Sequence, residues 1–74
     1  MNLSIKAAKQ LGERLAVSLH HAGRDTVKRG AILDVRGDIE STITKSDTRI
    51  AFRESYFNTL DVLEPLPSGR KWNP

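Results

Sequence analysis

The sequence predicts an α+β domain: an N-terminal amphipathic helix packed on a small three- to four-stranded antiparallel β-sheet or partial barrel. Two observations point there. Apolar residues recur at spacings of three and four as far as Ala22, and after Gly23 the apolar period shortens to two. Between the alternating stretches lie Arg36-Gly37-Asp38 and Lys45-Ser46-Asp47, residue types that favour turns.

The helix spans about residues 4–22. Ser4 is suited to cap it, because its hydroxyl can accept an orphan backbone N–H of the first turn. Ile5, Ala8, Leu11, Leu15, Leu19 and Ala22 form the apolar stripe, and Lys6, Lys9, Gln10, Glu13, Arg14 and His20 fall mostly away from it. Gly23 suits the left-handed residue after the last turn. Gly12 is a weak helix former in mid-helix, which marks a close approach of another backbone.

A β-meander over about residues 27–64 follows. Its first strand puts Val27, Ala31, Leu33 and Val35 on one face, and the second puts Ile39, Ser41 and Ile43 there. The third strand, Thr48 to Phe52, carries Ile50 and Phe52 inward. Phe52, Tyr56, Leu60 and Leu63 also have helical spacing, but Thr59 to Leu63 is read as a short fourth strand. The Leu11–Leu15–Leu19 stripe then covers a sheet face bearing Val27, Leu33, Ile43, Ile50 and Phe52. Pro65 and Pro67 end regular structure, leaving residues 65–74 as a polar tail that contains Trp72.

Length makes residues 1–74 a single domain that buries only about 60% of its unfolded surface. With no cysteine, disulfides and thiolate metal sites are excluded, so docking onto a partner or self-association into a ring or dimer is the expected support. No apolar run approaches the roughly 18 residues that cross a bilayer. The first nine residues lack a signal-peptide core, which points to the host cell cytoplasm, or to a virion under the resemblance below.

The residues argue against catalysis. His20-His21 with Asp25 is the one cluster that resembles a metal site, but adjacent helical residues point about 100° apart. Asp34, Asp38 and Glu40 flank a solvated turn, the wrong place for the desolvation that acid–base chemistry needs. Arg36-Gly37-Asp38 matches an adhesion tripeptide, yet three turn-forming residues meet often by chance. No cofactor is implied.

The candidate contacts are therefore surfaces. Tyr56 and Phe57 are adjacent and point different ways, and Trp72 beside Arg70 and Lys71 resembles a docking anchor, against the alternative that it folds back onto the core. The net charge is +3, with 12 basic and 9 acidic residues, a mild excess. Its basic clusters are Lys6, Lys9 and Arg14 on the helix, and Lys28, Arg29, Arg49 and Arg53 on the strands. Sharing a sheet face, the second cluster could meet phosphates or an acidic protein surface.

Arg29-Gly30-Ala31-Ile32-Leu33-Asp34, Thr48-Arg49-Ile50-Ala51-Phe52-Arg53 and Pro67-Ser68-Gly69-Arg70-Lys71-Trp72 together resemble the small head–tail joining proteins of tailed phages and prophages. The resemblance spans roughly Lys28 to Trp72 and implies a small β-barrel or sandwich, ring assembly and a structural role without catalytic residues. In that family a further strand usually follows the last segment, whereas here two residues follow Trp72. The expected function is a non-catalytic structural or assembly protein acting through protein–protein contacts. The alternatives are a small basic nucleic-acid-binding or regulatory protein, and a small inhibitor docking on a host enzyme or nucleoprotein complex.

Overall fold

The structure, a computed structural model, describes residues 3–72. Three helices follow one another: α1 (Ile5–Ala22), α2 (Thr26–Thr42) and α3 (Ser46–Leu63), with a short 3-10 turn at Pro67–Gly69. There is no strand among the described residues. The α+β architecture expected above is thus corrected to an all-α three-helix bundle.

The first helix follows its sequence signals. The Ser4 hydroxyl accepts the Ala7 N–H at 3.0 Å, and Gly23 ends the helix at φ 60°, its N–H donating to the His20 carbonyl.

The second helix replaces the expected hairpin. Asp25 caps it by accepting the Lys28 N–H at 3.1 Å, and Arg36, Gly37 and Asp38 continue the helix instead of turning. The physical reason is where the isoleucines fall. Ile32, Ile39 and Ile43 lie along one side of a helical path with Arg36 between them, and all three pack against the buried core. In an alternating strand, Ile32 would point opposite to Ile39 and Ile43. Burying an aliphatic side chain contributes about 1.5–3 kcal/mol, enough to override two helical glycines at about 1 kcal/mol each.

The third helix absorbs the expected third and fourth strands. Thr48, Ala51, Phe52, Tyr56 and Leu60 form its buried stripe, so the helical spacing of the aromatic residues decides the local structure. Of the residues expected on the inner sheet face, Ile43 and Phe52 are buried, while Val27, Leu33 and Ile50 are exposed.

The helices run up, down and up. Ser55 Oγ donates to the Lys9 carbonyl at 2.6 Å, Gly12 lies against Phe52 and Tyr56, and Leu19 shares a buried cluster with Leu60. These levels rise together, so α1 and α3 are parallel. Ile32 packs with the Leu19–Leu60 cluster and Ile39 with the Ala8–Phe52 cluster, so α2 runs the opposite way. Ala8, Gly12 and Ala16 present one small residue per turn to α3, which lets the two backbones approach closely.

Candidate interaction surface

The α2–α3 seam is built from charge and aromatic rings. Arg36 donates to Glu40 at 3.2 Å and its guanidinium lies 5.3 Å from the Tyr56 ring centre and 5.6 Å from that of Phe57. Arg53 reaches the other Glu40 oxygen at 3.3 Å and sits 5.7 Å from the Phe57 ring centre. The two rings meet edge to face at 5.0 Å. Tyr56 is therefore a core residue, and burial pushes its phenol above the usual tyrosine range. Phe57 is half-buried beneath the two cations.

Arg29 holds one end of the bundle. Its guanidinium donates to the Leu19 and Gly23 carbonyls at 3.1 and 3.2 Å, and to both Glu64 oxygens at 3.0 Å. One cation so caps the negative end of α1 and ties α2 to the end of α3. The Arg29 hydrogen bonds hold the Glu64 carboxyl below its ordinary range, and the same pairing raises Arg29. His20 Nδ1 lies 3.3 Å from Glu64 Oε1.

The tail returns to this end. Trp72 Nε1 donates to the Glu64 carbonyl at 2.6 Å, its backbone N–H donates to Asp61 at 2.9 Å, and its ring packs on the Leu19–Tyr56–Leu60 cluster. The tryptophan is folded back and half-buried, while Arg70 and Lys71 beside it are exposed.

The basic residues do not share a face. Arg29 and Arg53 pair with Glu64 and Glu40, and Arg49 donates to the Ile43 carbonyl at 3.3 and 3.2 Å, closing the end of α2. Lys6, Lys9, Arg14 and Lys28 are exposed on two helices, with Glu13 between Lys6 and Lys9 in angle around α1. The sheet face that would have gathered Lys28, Arg29, Arg49 and Arg53 does not exist.

Sequence reading missed the outer side of α2. No residue of this helix is fully buried, and Val27, Leu33 and Val35 are 80%, 47% and 47% exposed. Its inward side carries Arg29, Arg36 and Glu40 between the isoleucines, Val27 and Val35 fall on the outer side, and Leu33 lies on the flank next to Glu40 in angle. Beside this face a groove of about 470 Å³ opens between α1 and α2, lined by Val17, Ala22, Ala31 and Ile32 with His21 and Lys28. Asp25 as a helix cap, followed by the isoleucine spacing, was the signal that could have revealed this helix.

No family model, no curated protein and no solved structure matches the chain. No helix among the described residues is long and apolar enough to cross a membrane.

Proposed function

We propose that the chain is a non-catalytic contact protein that works by presenting the outer side of α2 to another protein surface. The observation that carries this reading is the exposure of Val27 and Val35 on the outer side of a helix whose Arg29, Arg36 and Glu40 pair inside, with Leu33 exposed on another side of it. Scattered exposed aliphatics are ordinary, but three on one seventeen-residue helix with no buried residue make it the least satisfied element of the bundle. A chain this small also gains most from added burial. The phage head–tail setting rests on the sequence resemblance alone, whose strand segments lie in α2 and α3.

Site-specific photocrosslinking in the source cell tests this. A photoreactive side chain at Val27 or Val35 should capture protein, and one at Gln10 or Asn58 should not. Adducts to nucleic acid at Lys6 or Lys9, with none to protein from α2, would favour the nucleic-acid alternative and overturn the proposal.

A further inference from the structure

The outer face of α2 is complementary to itself. At 100° per residue, Val27, Lys28, Ala31, Asp34, Val35 and Asp38 fall within an arc of about 120° centred on Ala31. Arg24 lies just before the helix, next to its cap. All seven residues are exposed. The cations sit toward the N-terminal end and the carboxylates toward the C-terminal end, with aliphatic side chains between them.

We infer that this face is the contact between two copies of the chain, related by a two-fold axis passing near Ala31, with their α2 helices antiparallel. This placement puts Ala31 opposite its own copy, Val27 opposite Val35, Lys28 opposite Asp34 and Arg24 opposite Asp38. Every pairing off the axis occurs twice, as an isologous interface requires. A parallel arrangement would set Lys28 against Lys28 and Asp34 against Asp34, so charge selects the antiparallel one.

Within the chain, the side chains of Arg24, Lys28, Asp34 and Asp38 make no ion pair or hydrogen bond among the described residues. The other charged residues of α2 are all used internally: Arg29 binds Glu64, and Arg36 binds Glu40. The division is by face, with the inward charges paired in the monomer and the outward ones left for an opposing surface. Alanine at the centre lets two helices approach closely. The groove beside Ala31 and Ile32 offers room to aliphatic side chains of the other copy.

One helix pair covers less than the roughly 800 Å² per partner of a standard interface, so association should be weak, with a dissociation constant of roughly 10 μM to 1 mM. The inference rests on the proposed contact role of α2 and names its partner.

Sedimentation or light scattering from about 10 μM to 1 mM protein tests it, that range spanning the expected midpoint. The mass should rise from 8.3 kDa toward twice that value. Lys28→Glu alone, and Asp34→Lys alone, should each weaken self-association by about tenfold, because two attractive pairs become repulsive. An equimolar mixture of these two variants should dimerise as well as the natural chain, because each reversed residue then meets an opposite charge. Circular dichroism checks that both variants remain folded.

A monomer throughout the range overturns the inference. So does a dimer indifferent to both reversals, or a mixture that fails to recover. Photocrosslinks from Val27 to a different protein, together with a monomer at 1 mM, would defeat the self-contact while leaving the contact role of α2 standing.

Discussion

Gly12 lies so close to Phe52 that a Cβ at position 12 would sit 2.5 Å from the Phe52 carbonyl oxygen and 3.0 Å from the Tyr56 backbone nitrogen. Both neighbours are backbone atoms of α3, so neither can swing aside. Gly12→Ala gains about 1 kcal/mol of helix propensity but must push two helices apart, and overpacking costs about 1–3 kcal/mol or more where nothing flexible yields. The substitution should lower the melting temperature. An unchanged or raised melting curve would show that the seam is looser than described.

The same substitution on α2 should act in the opposite direction. Nothing lies within 4 Å of a Cβ built at Gly30 or Gly37, and both residues are interior to the helix. Gly30→Ala and Gly37→Ala should each stabilise by about 0.5–1 kcal/mol, through helix propensity and a less flexible unfolded chain. At about 4–8 °C per kcal/mol for a domain of this size, each is visible in a thermal melt. Had residues 36–38 formed the turn expected from sequence, Gly37→Ala would destabilise.

That contrast shows which parts of the fold were legible. Helix α1 was readable because its apolar stripe is one-sided and both caps are strong: Ser4 and Gly23 do what their chemistry favours, and Gly12 marks the close approach it suggested. Helix α2 was not readable by period because its two faces break the usual rule. Arg29, Arg36 and Glu40 face inward among the isoleucines while Val27 and Val35 face outward, so the apolar pattern imitates an alternating strand. Phe52, Tyr56 and Leu60 carried a helical signal that the strand reading of Thr48–Phe52 displaced. The candidate surface was missed for the same reason, since a strand would have turned Val27, Leu33 and Val35 toward the core.

Leucines of the α1 stripe should differ in weight. Leu19 is buried among Ala16, Tyr56 and Leu60, whereas Leu15 packs partly buried between the two clusters. Leu19→Ala should cost about 2–5 kcal/mol, and Leu15→Ala measurably less. Denaturant midpoints at constant m-value give the comparison; equal losses would contradict the burial pattern.

The Arg29–Glu64 pair should appear in the acid limb of stability. Hydrogen bonds from Arg29 hold the Glu64 carboxyl below its ordinary 4.5, so the folded state favours its charged form. That stabilisation is complete above the unfolded value and is lost as pH falls from about 4.5 through the lower folded value. Both side chains are partly exposed, so the pair is worth about 1 kcal/mol. Glu64→Gln should lower the melting temperature at pH 7 and converge with the natural chain in strong acid. A gap that stays constant down to pH 2 would assign the effect to packing.

The returned tail gives a last test, one that separates a covering tryptophan from a free anchor. Trp72 donates to the Glu64 carbonyl and covers the Leu19–Tyr56–Leu60 cluster, so it shields the end of the bundle that Arg29 holds. Removing residues 68–74 should cost about 1–3 kcal/mol, the burial contribution of one large side chain. Because Trp72 is the only tryptophan, fluorescence reports on it directly. The intact chain should emit to the blue of solvent-exposed tryptophan and shift red together with helix loss on heating. A red emission in the folded chain, with no loss of stability on truncation, would mean that the ring stands free and that the helices alone close this end.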